Sequence, residues 1–568
     1  MKDSIRYTFA LLGSLVAGSP ALAVFPAGNP LNAVVPQTTW SIEVEDVVTI
    51  PNSGGSSPRI ENLVAGGAPG LAYVIDQRGP IWSFDPTAPN PASTRELFVD
   101  IDSVVSNLTM GQQTGVRGLA FHPDFNNAGT DGYRKFYTAI SRDAFSPADS
   151  NPADTIFFPA PNSVNHDSIV AEFTVDAGGD VINSSFRQVL GVGQRFNDHN
   201  IGEIGFNPLA APGDADYGKL YIGLGDGGNN FPPIPIDPND NGQNLNRPHG
   251  SILRIDPLAD GTAGFSIPTD NPLRVSNERD VARNLIWAYG LRNPHNFAWD
   301  PVSGKMLIAD IGQSNIEEIN LGAAGANYGW RDREGTFITT GQFSGSHNIV
   351  DDLPNDHATD DLTYPVAQYD HDFDNNGFRD SLFAVAGGSV YRGDAVPELR
   401  GLFFFGDFSE RSTIFAVPID ELAQREDFSD LESLSDGRLA PYEQVRFTEN
   451  GIPRTWQQIV GSNRTNLRFG EGPDGELYLL NKADGTIRRF ASVTGLLAGD
   501  FNADGRVDAA DYTVWRDGLG DRYSEADYEV WQANFGATSS ATTASVPEPT
   551  AAVLFAIAAC GWCRRPRR

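Results

Sequence analysis

Three polar residues of this chain have side chains suited to oxidising an alcohol, and each lies at the end of a short apolar run. His199 and Arg292 come just before such runs, and Asp226 comes just after one. A histidine accepts a hydroxyl proton near neutral pH, a carboxylate can fix its tautomer, and a guanidinium can hold an oxyanion. A histidine near an aspartate is also a common structural pair, and a lone arginine is equally common in salt bridges. The combination at successive strand ends favours an oxidation site.

The elements that must position these side chains are predicted to be short β-strands. Glycine is frequent, with 59 residues, and the apolar runs are short. One pattern recurs six times: an apolar strand, a turn with glycine, and further strands ending in an apolar-x-apolar triplet. It predicts an all-β fold, a six-bladed β-propeller over residues 40–490, followed by a small α-helical calcium-loop module. A single β-sandwich would use far fewer strands.

The N-terminus and the charge indicate an exported protein. Residues 1–23 combine two basic residues, an apolar run and Ala21-Leu22-Ala23, which predicts a cleaved signal peptide. The net charge of −32 argues against nucleic acid and anionic membrane surfaces as partners. Solubility alone explains most of this acidity, and calcium-binding carboxylates are the alternative for its clusters.

A calcium loop is predicted at the start of residues 498–536. Tyr512 and Trp515 follow it in the manner of a dockerin repeat, whereas the second half of the segment has lost most of its loop carboxylates. A docking role toward a cohesin-like or matrix partner and a calcium-stabilised spacer are therefore both open. The predicted calcium ligands, at the spacing of a calcium loop, are Asp500, Asn502, Asp504, the carbonyl of Arg506, Asp508 and Asp511.

The C-terminal tail is predicted to be a sorting segment. Residues 537–545 are rich in Ala, Ser and Thr and are predicted to be a flexible linker. Residues 546–568 contain Pro-Glu-Pro, a short apolar run and four arginines, and resemble the PEP-CTERM signal of bacteria with extracellular matrices. A plain tail anchor is the alternative. The resemblance implies the cell surface, outer envelope or extracellular matrix, with membrane contact only through this segment. Both cysteines, Cys560 and Cys563, lie here.

Five motifs, taken in order, carry a family resemblance across roughly residues 60 to 490. They resemble the glucose/sorbosone dehydrogenases, soluble aldose dehydrogenases that use pyrroloquinoline quinone on a six-bladed propeller. The motifs are Gln113 to Phe125, Asp198-His199 with Gly225-Asp226, Gly290-Leu291-Arg292-Asn293-Pro294, Glu318-Ile319-Asn320, and Asn327-Tyr328-Gly329-Trp330.

The resemblance implies a role for each matching residue. His199 would be the general base, oriented by Asp226, and Arg292 would polarise the quinone carbonyl that receives the hydride. Glu318 and Tyr328 would belong to a second, structural calcium site. The residues implied to line the sugar and cofactor pocket are Gln113, Asp198 and Asn293, and the carbonyls implied to hold the catalytic calcium are those of Gly312 and Gln313.

The chain departs from the family at the positions that hold the carboxylates of the cofactor. Where the family has a lysine in the fifth unit, this chain has Ser409-Glu410-Arg411, so Arg411 is the candidate cation there. The family's Arg-x-Arg pair is replaced by Arg464 and Arg468 at a different spacing. The fifth unit also resembles propellers of the hedgehog-interacting-protein type.

Two functions follow from these features. The first is an exported quinoprotein that oxidises an aldose, or sugar units released from polysaccharide, and passes electrons to a respiratory acceptor. The second is a calcium-stabilised propeller that binds glycan or protein at the cell surface without chemistry. The intact base, carboxylate and Arg-Asn pair favour the first function, whereas the changed basic positions favour the second.

Overall fold

The computed structural model divides into two compact units, Met1–Thr494 and Gly495–Arg568. The predicted signal peptide, most of the predicted linker, the predicted sorting segment, Arg411, Asn502 and Asp504 lie outside the described residues. The described residues are 31, 34–105, 107–111, 113–143, 156–158, 165–228, 240–258, 264–277, 280–344, 347–351, 361–371, 384–409, 412–422, 439–495, 497, 499–501, 506–519, 523 and 525–538.

The first unit is built from short strands whose central residues are mostly buried. Valine, isoleucine, leucine and aromatic residues occupy these positions, and most of these residue types favour extended backbone. In chain order the first strands are β1 (Gln37–Thr49), β2 (Ile60–Val64), β3 (Ala72–Asp76), β4 (Pro80–Phe84), β5 (Glu96–Asp100), β6 (Val116–Phe121), β7 (Lys135–Asp143), β8 (Ile156–Phe158), β9 (His166–Thr174), β10 (Arg187–Gln194), β11 (Ile201–Phe206), β12 (Leu220–Leu224), β13 (Ser251–Ile255) and β14 (Ile286–Tyr289).

The rest of this unit continues in the same manner, with three short helices, α1 (Ile101–Val104), α2 (Val281–Leu285) and α3 (Trp456–Val460), in the connections. The remaining strands are β15 (Pro294–Trp299), β16 (Met306–Asp310), β17 (Ile316–Leu321), β18 (Arg333–Glu334), β19 (Phe337–Ser344), β20 (His347–Asp351), β21 (Ala367–Asp370), β22 (Val385–Val390), β23 (Leu402–Asp407), β24 (Ile414–Pro418), β25 (Glu443–Glu449), β26 (Ile452–Arg454), β27 (Leu467–Glu471), β28 (Leu477–Asn481) and β29 (Thr486–Thr494).

Four separate sheets of four or five strands follow one another along the described chain. Their strand orders are β2-β3-β4-β5, β6-β7-β9-β10-β8, β11-β12-β13-β14 and β15-β16-β17-β21, and a small sheet β18-β19-β20 is inserted before β21. Adjacent sheets pack face to face, since Val170 of one and Leu253 of the next share a buried cluster, as do Tyr221 and Ile308. This repetition is the blade arrangement of a propeller.

The last sheet joins the two ends of the unit. Its nine strands run β22-β23-β24-β25-β1-β29-β28-β27, with β26 beside β25. β1 is parallel to β25 and antiparallel to β29, so the first strand is held between two strands from the end of the unit. The prediction of a mostly β, propeller-like fold is therefore confirmed, and the count of six blades stays a prediction.

The innermost strands of neighbouring sheets approach each other so closely that some positions require glycine. A Cβ on Gly202 of β11 would lie 2.5 Å from the carbonyl oxygen of His295 on β15, and one on Gly118 of β6 would lie 2.8 Å from the carbonyl oxygen of Gly202. These contacts bring the first residues of the inner strands together around one axis.

The second unit contains two helices among its described residues, α4 (Ala509–Asp517) and α5 (Glu525–Asn534). Rings of the two helices stack, with Trp515 and Tyr528 centroids 4.9 Å apart. In the part of the chain that the structure describes, no helix has the length and apolar character needed to cross a membrane. The dockerin assignment stays a prediction.

Candidate functional site

The strand register brings His199 and Asp226 together. Ile201 of β11 pairs with Leu224 of β12 in an antiparallel ladder, so residues two positions beyond each strand end meet at the same edge. His199 adopts a left-handed conformation, with φ of 54°. Residues other than glycine rarely adopt this backbone conformation. Those that do often lie at functional sites.

The carboxylate of Asp226 holds the imidazole of His199 in one orientation. His199 Nδ1 lies 2.5 Å from Asp226 Oδ1, which also accepts from the Gly228 amide at 3.0 Å. Trp330 Nε1 donates to Asp226 Oδ2 at 2.9 Å. Burial alone would raise the pKa of Asp226, yet His199 and then Arg292 lower it to about 2. The ionised carboxylate fixes the proton on Nδ1 and leaves the lone pair on Nε2.

Gln113 and Asn293 extend this arrangement. Gln113 Oε1 accepts from the His199 amide at 3.0 Å and from Asn293 Nδ2 at 3.3 Å. Asp198 is half-buried, with its Cβ 2.8 Å from the position that a Cβ on Gly228 would take. The three predicted pocket residues therefore lie near His199, where β6, β11 and β15 begin.

Arg292 spans the loop that follows β16. Its Nε donates to Gln313 Oε1 at 3.0 Å, and its Nη1 donates to the carbonyls of Ile311 at 2.8 Å and Gly312 at 2.6 Å. Its guanidinium carbon lies 5.6 Å from the centre of the Trp330 ring. The same tryptophan therefore contacts both Asp226 and Arg292.

The loop expected to hold the catalytic calcium has its oxygens directed at this cation. The Gly312 carbonyl and the Gln313 side chain both accept hydrogen bonds from Arg292. Among the described residues, no three His, Cys, Asp or Glu side chains converge on a metal position. The calcium role of the Gly312 and Gln313 backbone carbonyls stays a prediction.

The residues expected at the second calcium site have protein partners. Glu318 accepts from the Gly335 amide at 2.6 Å and from Asn320 Nδ2 at 3.1 Å, and burial followed by repulsion from Asp310 raises its pKa to about 8. The Tyr328 hydroxyl donates to the Leu321 carbonyl at 2.6 Å. The calcium role of Glu318 and Tyr328 stays a prediction.

A cluster of charged side chains that was not predicted lies one loop away from His199. We call it the cation cluster, and it consists of Glu61, Arg117, His295, Arg468 and Lys482. Four of its members are the second residues of the inner strands β2, β6, β15 and β27. The sequence signal was a charged residue inside an otherwise apolar strand, which is uncommon unless the charge has a buried partner.

Hydrogen bonds connect the cation cluster internally. Glu61 Oε1 accepts from Arg117 Nη1 at 2.5 Å and from Lys482 Nζ, and Glu61 Oε2 lies 3.4 Å from Arg468 Nε. The Nη2 atoms of both arginines lie 2.7 Å from His295 Nε2. The aromatic ring of Phe408, just before the Ser409-Glu410-Arg411 segment, lies 4.0 Å from the Arg468 guanidinium carbon.

Positive charge exceeds negative charge in the cation cluster. Burial would raise the pKa of Glu61, but Arg117, Lys482 and Arg468 lower it to about 2, so this carboxylate is ionised. Burial holds the pKa of His295 well below its usual range, and the neighbouring arginines lower it further, so His295 is neutral. Burial also lowers the pKa of Lys482. The excess of positive charge therefore comes from two arginines that face one carboxylate, with the lysine beside them.

One glutamine joins the cation cluster to the His199 region. Gln77 Oε1 lies 3.3 Å from Lys482 Nζ, and Gln77 Nε2 donates to the Gly111 carbonyl at 3.0 Å. The loop that begins at Gly111 carries Gln113, whose side chain binds the His199 amide. The base and the cation cluster therefore belong to one continuous site.

Arg464, which was predicted to contact the cofactor from the last unit, lies outside the cation cluster. It is exposed on the loop before β27, and its Nε donates to Asn466 Oδ1 at 2.9 Å. Arg468, four residues further on, is buried.

In the second unit, the described members of the predicted calcium loop surround the start of α4. Asp511 Oδ2 accepts from the Asp508 amide at 2.7 Å, and Asp508 Oδ1 accepts from the Ala510 amide at 2.7 Å. The Asp508 side chain also accepts from the Asp511 amide, and this reciprocal pair is a capping box, which stabilises the first turn of a helix. Asp500 is buried, and Arg506 forms a bridge with Thr538.

Comparisons with known proteins identify a family for the first unit. The model of the family described as glucose/sorbosone dehydrogenase matches residues 95–438. The HIPL1 protein of Arabidopsis thaliana is 27% identical over 370 residues, covering 59% of this chain and 47% of that protein. The aldose sugar dehydrogenase YliI of Escherichia coli is 33% identical over 264 residues, covering 46% of this chain and 54% of that protein.

A structural comparison gives a similar relative. The soluble aldose sugar dehydrogenase of Escherichia coli in its apo form has a TM-score of 0.49 and 18% identity, covering 80% of this chain and 99% of that chain. The chain spans about half the length of the curated relatives it matches.

Proposed function

The chain belongs to the glucose/sorbosone dehydrogenase family, and from this premise we propose that it is an exported sugar oxidoreductase. The substrate is an aldose, oxidised at C1 by hydride transfer to pyrroloquinoline quinone. The observation that carries this proposal is the His199–Asp226 pair at 2.5 Å, one loop away from an excess of buried positive charge. The six-bladed form of the propeller, with the nine-stranded sheet counted as two blades, is part of the same proposal.

The cation cluster fits a polyanionic cofactor. A buried charge without a counter-charge is costly, and Arg117, Arg468 and Lys482 have only Glu61 as a described ionised partner within the cluster. Arginine forks and lysine ammonium groups are the usual partners of carboxylates. We propose that these three cations take the role that the family assigns to basic residues at other positions.

The residues of the chain account for the proton transfer. Bound pyrroloquinoline quinone would supply the two-electron acceptor for the hydride from C1. His199 Nε2 takes the proton of the C1 hydroxyl, because Asp226 keeps the other proton on Nδ1 and stabilises the imidazolium that forms. Arg292 supplies positive charge beside this pair. The product is a lactone, and the electrons pass on to a respiratory acceptor.

Reconstitution tests the proposal. Purified full-length protein is mixed with pyrroloquinoline quinone and calcium, cofactor binding is measured by absorbance, and dye-linked oxidation is followed over a panel of aldoses. We expect stoichiometric cofactor binding and oxidation of at least one aldose. Absence of cofactor binding would exclude the quinoprotein function.

Two matched variants locate the cofactor contacts. Lys482→Met removes a cation of the buried cluster, and we expect it to weaken cofactor binding about tenfold or more, as for loss of a charged hydrogen bond. Arg464→Met removes an exposed cation of the same unit, and we expect unchanged binding. The reverse pattern would return the contact to Arg464 and leave the cluster with a structural role.

A second function is supported by the changed basic positions, since Arg464 is exposed and bonded to Asn466. In this alternative the first unit binds glycan or protein at the cell surface, and Arg292 serves the loop after β16. Cofactor binding with no oxidation of any aldose, or binding of oligosaccharide without cofactor, would favour it.

The ends of the chain complete the proposal. We propose export through the signal peptide, retention through the sorting segment, and calcium binding by the loop that starts at Asp500. Calorimetry of the full chain with calcium should include a tight site that Asp500→Asn weakens about tenfold, since a calcium loop depends on the number of charged ligands. Unchanged affinity would exclude Asp500 as a ligand.

A further inference from the structure

The inner strands begin near His199, and a cavity lies at their other ends. Its volume is about 580 Å³, within the range of cavities that hold small organic ligands. It is lined by the last residues of five inner strands, whereas His199 and Arg292 precede the first residues of two of them. These strand ends are Val64, Phe121, Phe206, Trp299 and Glu471.

The wall of this cavity is apolar and aromatic, with acidic groups set into it. Phe206, Phe297, Trp299 and Phe469 contribute rings. Among the described residues that line the cavity, none is lysine, arginine or histidine. Its ionisable groups are the carboxyl groups of Glu203 and Glu471 and the hydroxyl of Tyr217. Aromatic faces and carboxylates share one preference, which is for a positively charged ligand.

Both carboxyl groups are held in place by neutral donors. Glu203 Oε2 accepts from Asn62 Nδ2 at 2.6 Å and from Asn296 Nδ2 at 3.1 Å. Glu471 Oε2 accepts from the Ser389 hydroxyl at 3.3 Å. Neutral donors orient a carboxylate without cancelling its charge, so each of these groups retains its capacity to pair with a cation.

The surroundings of the two glutamates differ. Burial raises the pKa of Glu203 to about 8, although Arg117 and Arg468 act against this rise. Burial raises the pKa of Glu471 to about 7, together with Asp300 and Asp474 and against Arg392. An organic cation in the cavity would favour the ionised carboxylates, so its binding at pH 7 should release protons.

We propose that this cavity is a binding site for a small organic cation, with an ammonium group paired to Glu203 and Glu471 and an apolar body against the rings of Phe206 and Trp299. The cavity lies at the opposite strand ends from His199, and its proposed ligand does not depend on the proposed reaction. Its ligand class follows from the charge and the aromatic wall together.

Calorimetry with two isosteres tests this proposal on the full-length protein. The probe is 2-phenylethylammonium, and its uncharged counterpart is 2-phenylethanol. We expect one saturable site for the ammonium and binding of the alcohol weaker by about tenfold or more, the difference that one charged pair supplies. Titration in two buffers of different ionisation enthalpy should report proton release for the ammonium and none for the alcohol.

Glutamine variants identify the paired groups. Glu203→Gln and Glu471→Gln should each weaken ammonium binding about tenfold and leave alcohol binding unchanged. Glu96→Gln, at an exposed position outside the cavity, should behave as the unmodified protein. If Glu203→Gln fails to fold, since Glu203 joins two asparagines, then Glu471→Gln and the proton release carry the test.

Several results would overturn the proposal. No binding of the ammonium would do so, as would equal binding of ammonium and alcohol or wild-type binding by both glutamine variants. A calcium titration provides the last comparison. If the unmodified protein gives heat with calcium and none with the ammonium, and Glu471→Gln loses the calcium heat, the cavity is a metal site instead.

Discussion

The chemistry of His199 depends on the partners of one carboxylate. The Asp226 carboxylate accepts hydrogen bonds from His199 Nδ1, the Gly228 amide and Trp330 Nε1. Together these bonds hold the carboxylate in one orientation. Because Asp226 accepts from both a base and an indole, its replacement by an amide changes which nitrogen of His199 carries the proton.

Asp226→Asn should therefore abolish turnover without loss of the fold. The amide oxygen would accept from Trp330, its NH2 would face His199 Nδ1, and the imidazole proton would move to Nε2, the atom that must act as the base. We expect kcat to fall about 10³-fold with little change in cofactor affinity. Steady-state kinetics and absorbance titration measure these quantities.

Trp330→Phe is the matched control for that variant. It removes the indole N–H but keeps the Asp226 bonds to His199 and Gly228. We expect kcat within about tenfold of the unmodified enzyme, as for the loss of one neutral hydrogen bond. An equal loss in both variants would mean that Asp226 acts only as a structural anchor.

The cation cluster makes a prediction about stability. Glu61→Gln leaves Arg117, Arg468 and Lys482 without a carboxylate, and we expect the free energy of unfolding at pH 7 to fall by about 3–5 kcal/mol. The folded pKa of Glu61, about 2, lies below its usual value of 4.5. Its contribution is therefore fully present above pH 4.5 and is lost as the pH falls toward 2.

Denaturant unfolding at pH 7 and near pH 2 measures this difference. The gap between the variant and the unmodified protein should narrow in acid. Glu96→Gln, at an exposed position, should change the free energy of unfolding by less than about 0.5 kcal/mol at both pH values. A gap that stays constant with pH would mean that the pKa of Glu61 is the same in the folded and the unfolded protein.

The sequence predicted that part of the candidate site lies together, for a physical reason, while the roles of its residues stay predictions. His199, Asp226, Arg292, Gln113 and Asn293 lie in loops beside recognisable strand ends, and the structure brings them together. The cation cluster depends on partners far apart in the chain, since Lys482 contacts Glu61 across 421 residues. Local spacing carries no signal for such a contact.

At the scale of elements, the ladders between β-strands determine which loops meet. Apolar runs predicted most of the short strands. For example, the first four residues of β23 are the apolar run Leu402–Phe405. The pairing of β1 with both β25 and β29 was not predicted, because its partners follow it by about 400 residues or more and no local pattern names them.

Close packing of inner strands predicts a steric effect of Gly202→Ala. The added Cβ would lie 2.5 Å from the carbonyl oxygen of His295, a backbone atom that cannot rotate away. We expect the free energy of unfolding to fall by about 2–4 kcal/mol, as for an overpacked core, together with reduced activity because β15 carries Arg292 at its start. Chemical denaturation and steady-state kinetics measure the two effects.

Gly178→Ala is the corresponding control. Gly178 is exposed, and the nearest atom to its added Cβ is the side-chain oxygen of Asp176 at 3.2 Å, which can move. We expect a change of less than about 0.5 kcal/mol. Equal effects of the two variants would show that packing between inner strands is loose.

At the scale of the whole molecule, the chain consists of two compact units with different architecture, one a propeller-like β unit and the other a pair of short helices. The sequence predicted this division from the composition change after Phe490. Each unit has its own core, since the rings of Trp515 and Tyr528 lie in the second unit and the large buried clusters lie in the first.

Two deletions test the independence of the first unit. A chain ending at Thr494 should keep its melting temperature within about 2 °C and keep cofactor binding. Deletion of β1, Gln37–Thr49, should lower the melting temperature by about 10 °C or more, because both β25 and β29 lose their partner. Calorimetry measures the melting temperatures of both proteins. A protein that stays stable without β1 would contradict the role of this strand.

The position of β1 also sets the order of events during synthesis. Ser41 and Thr494, paired across the β1–β29 ladder, are made 453 residues apart, so the first strand leaves the ribosome long before its partner exists. Contacts of such sequence separation slow folding. The β1–β29 ladder can therefore close only after nearly the whole unit has been translated.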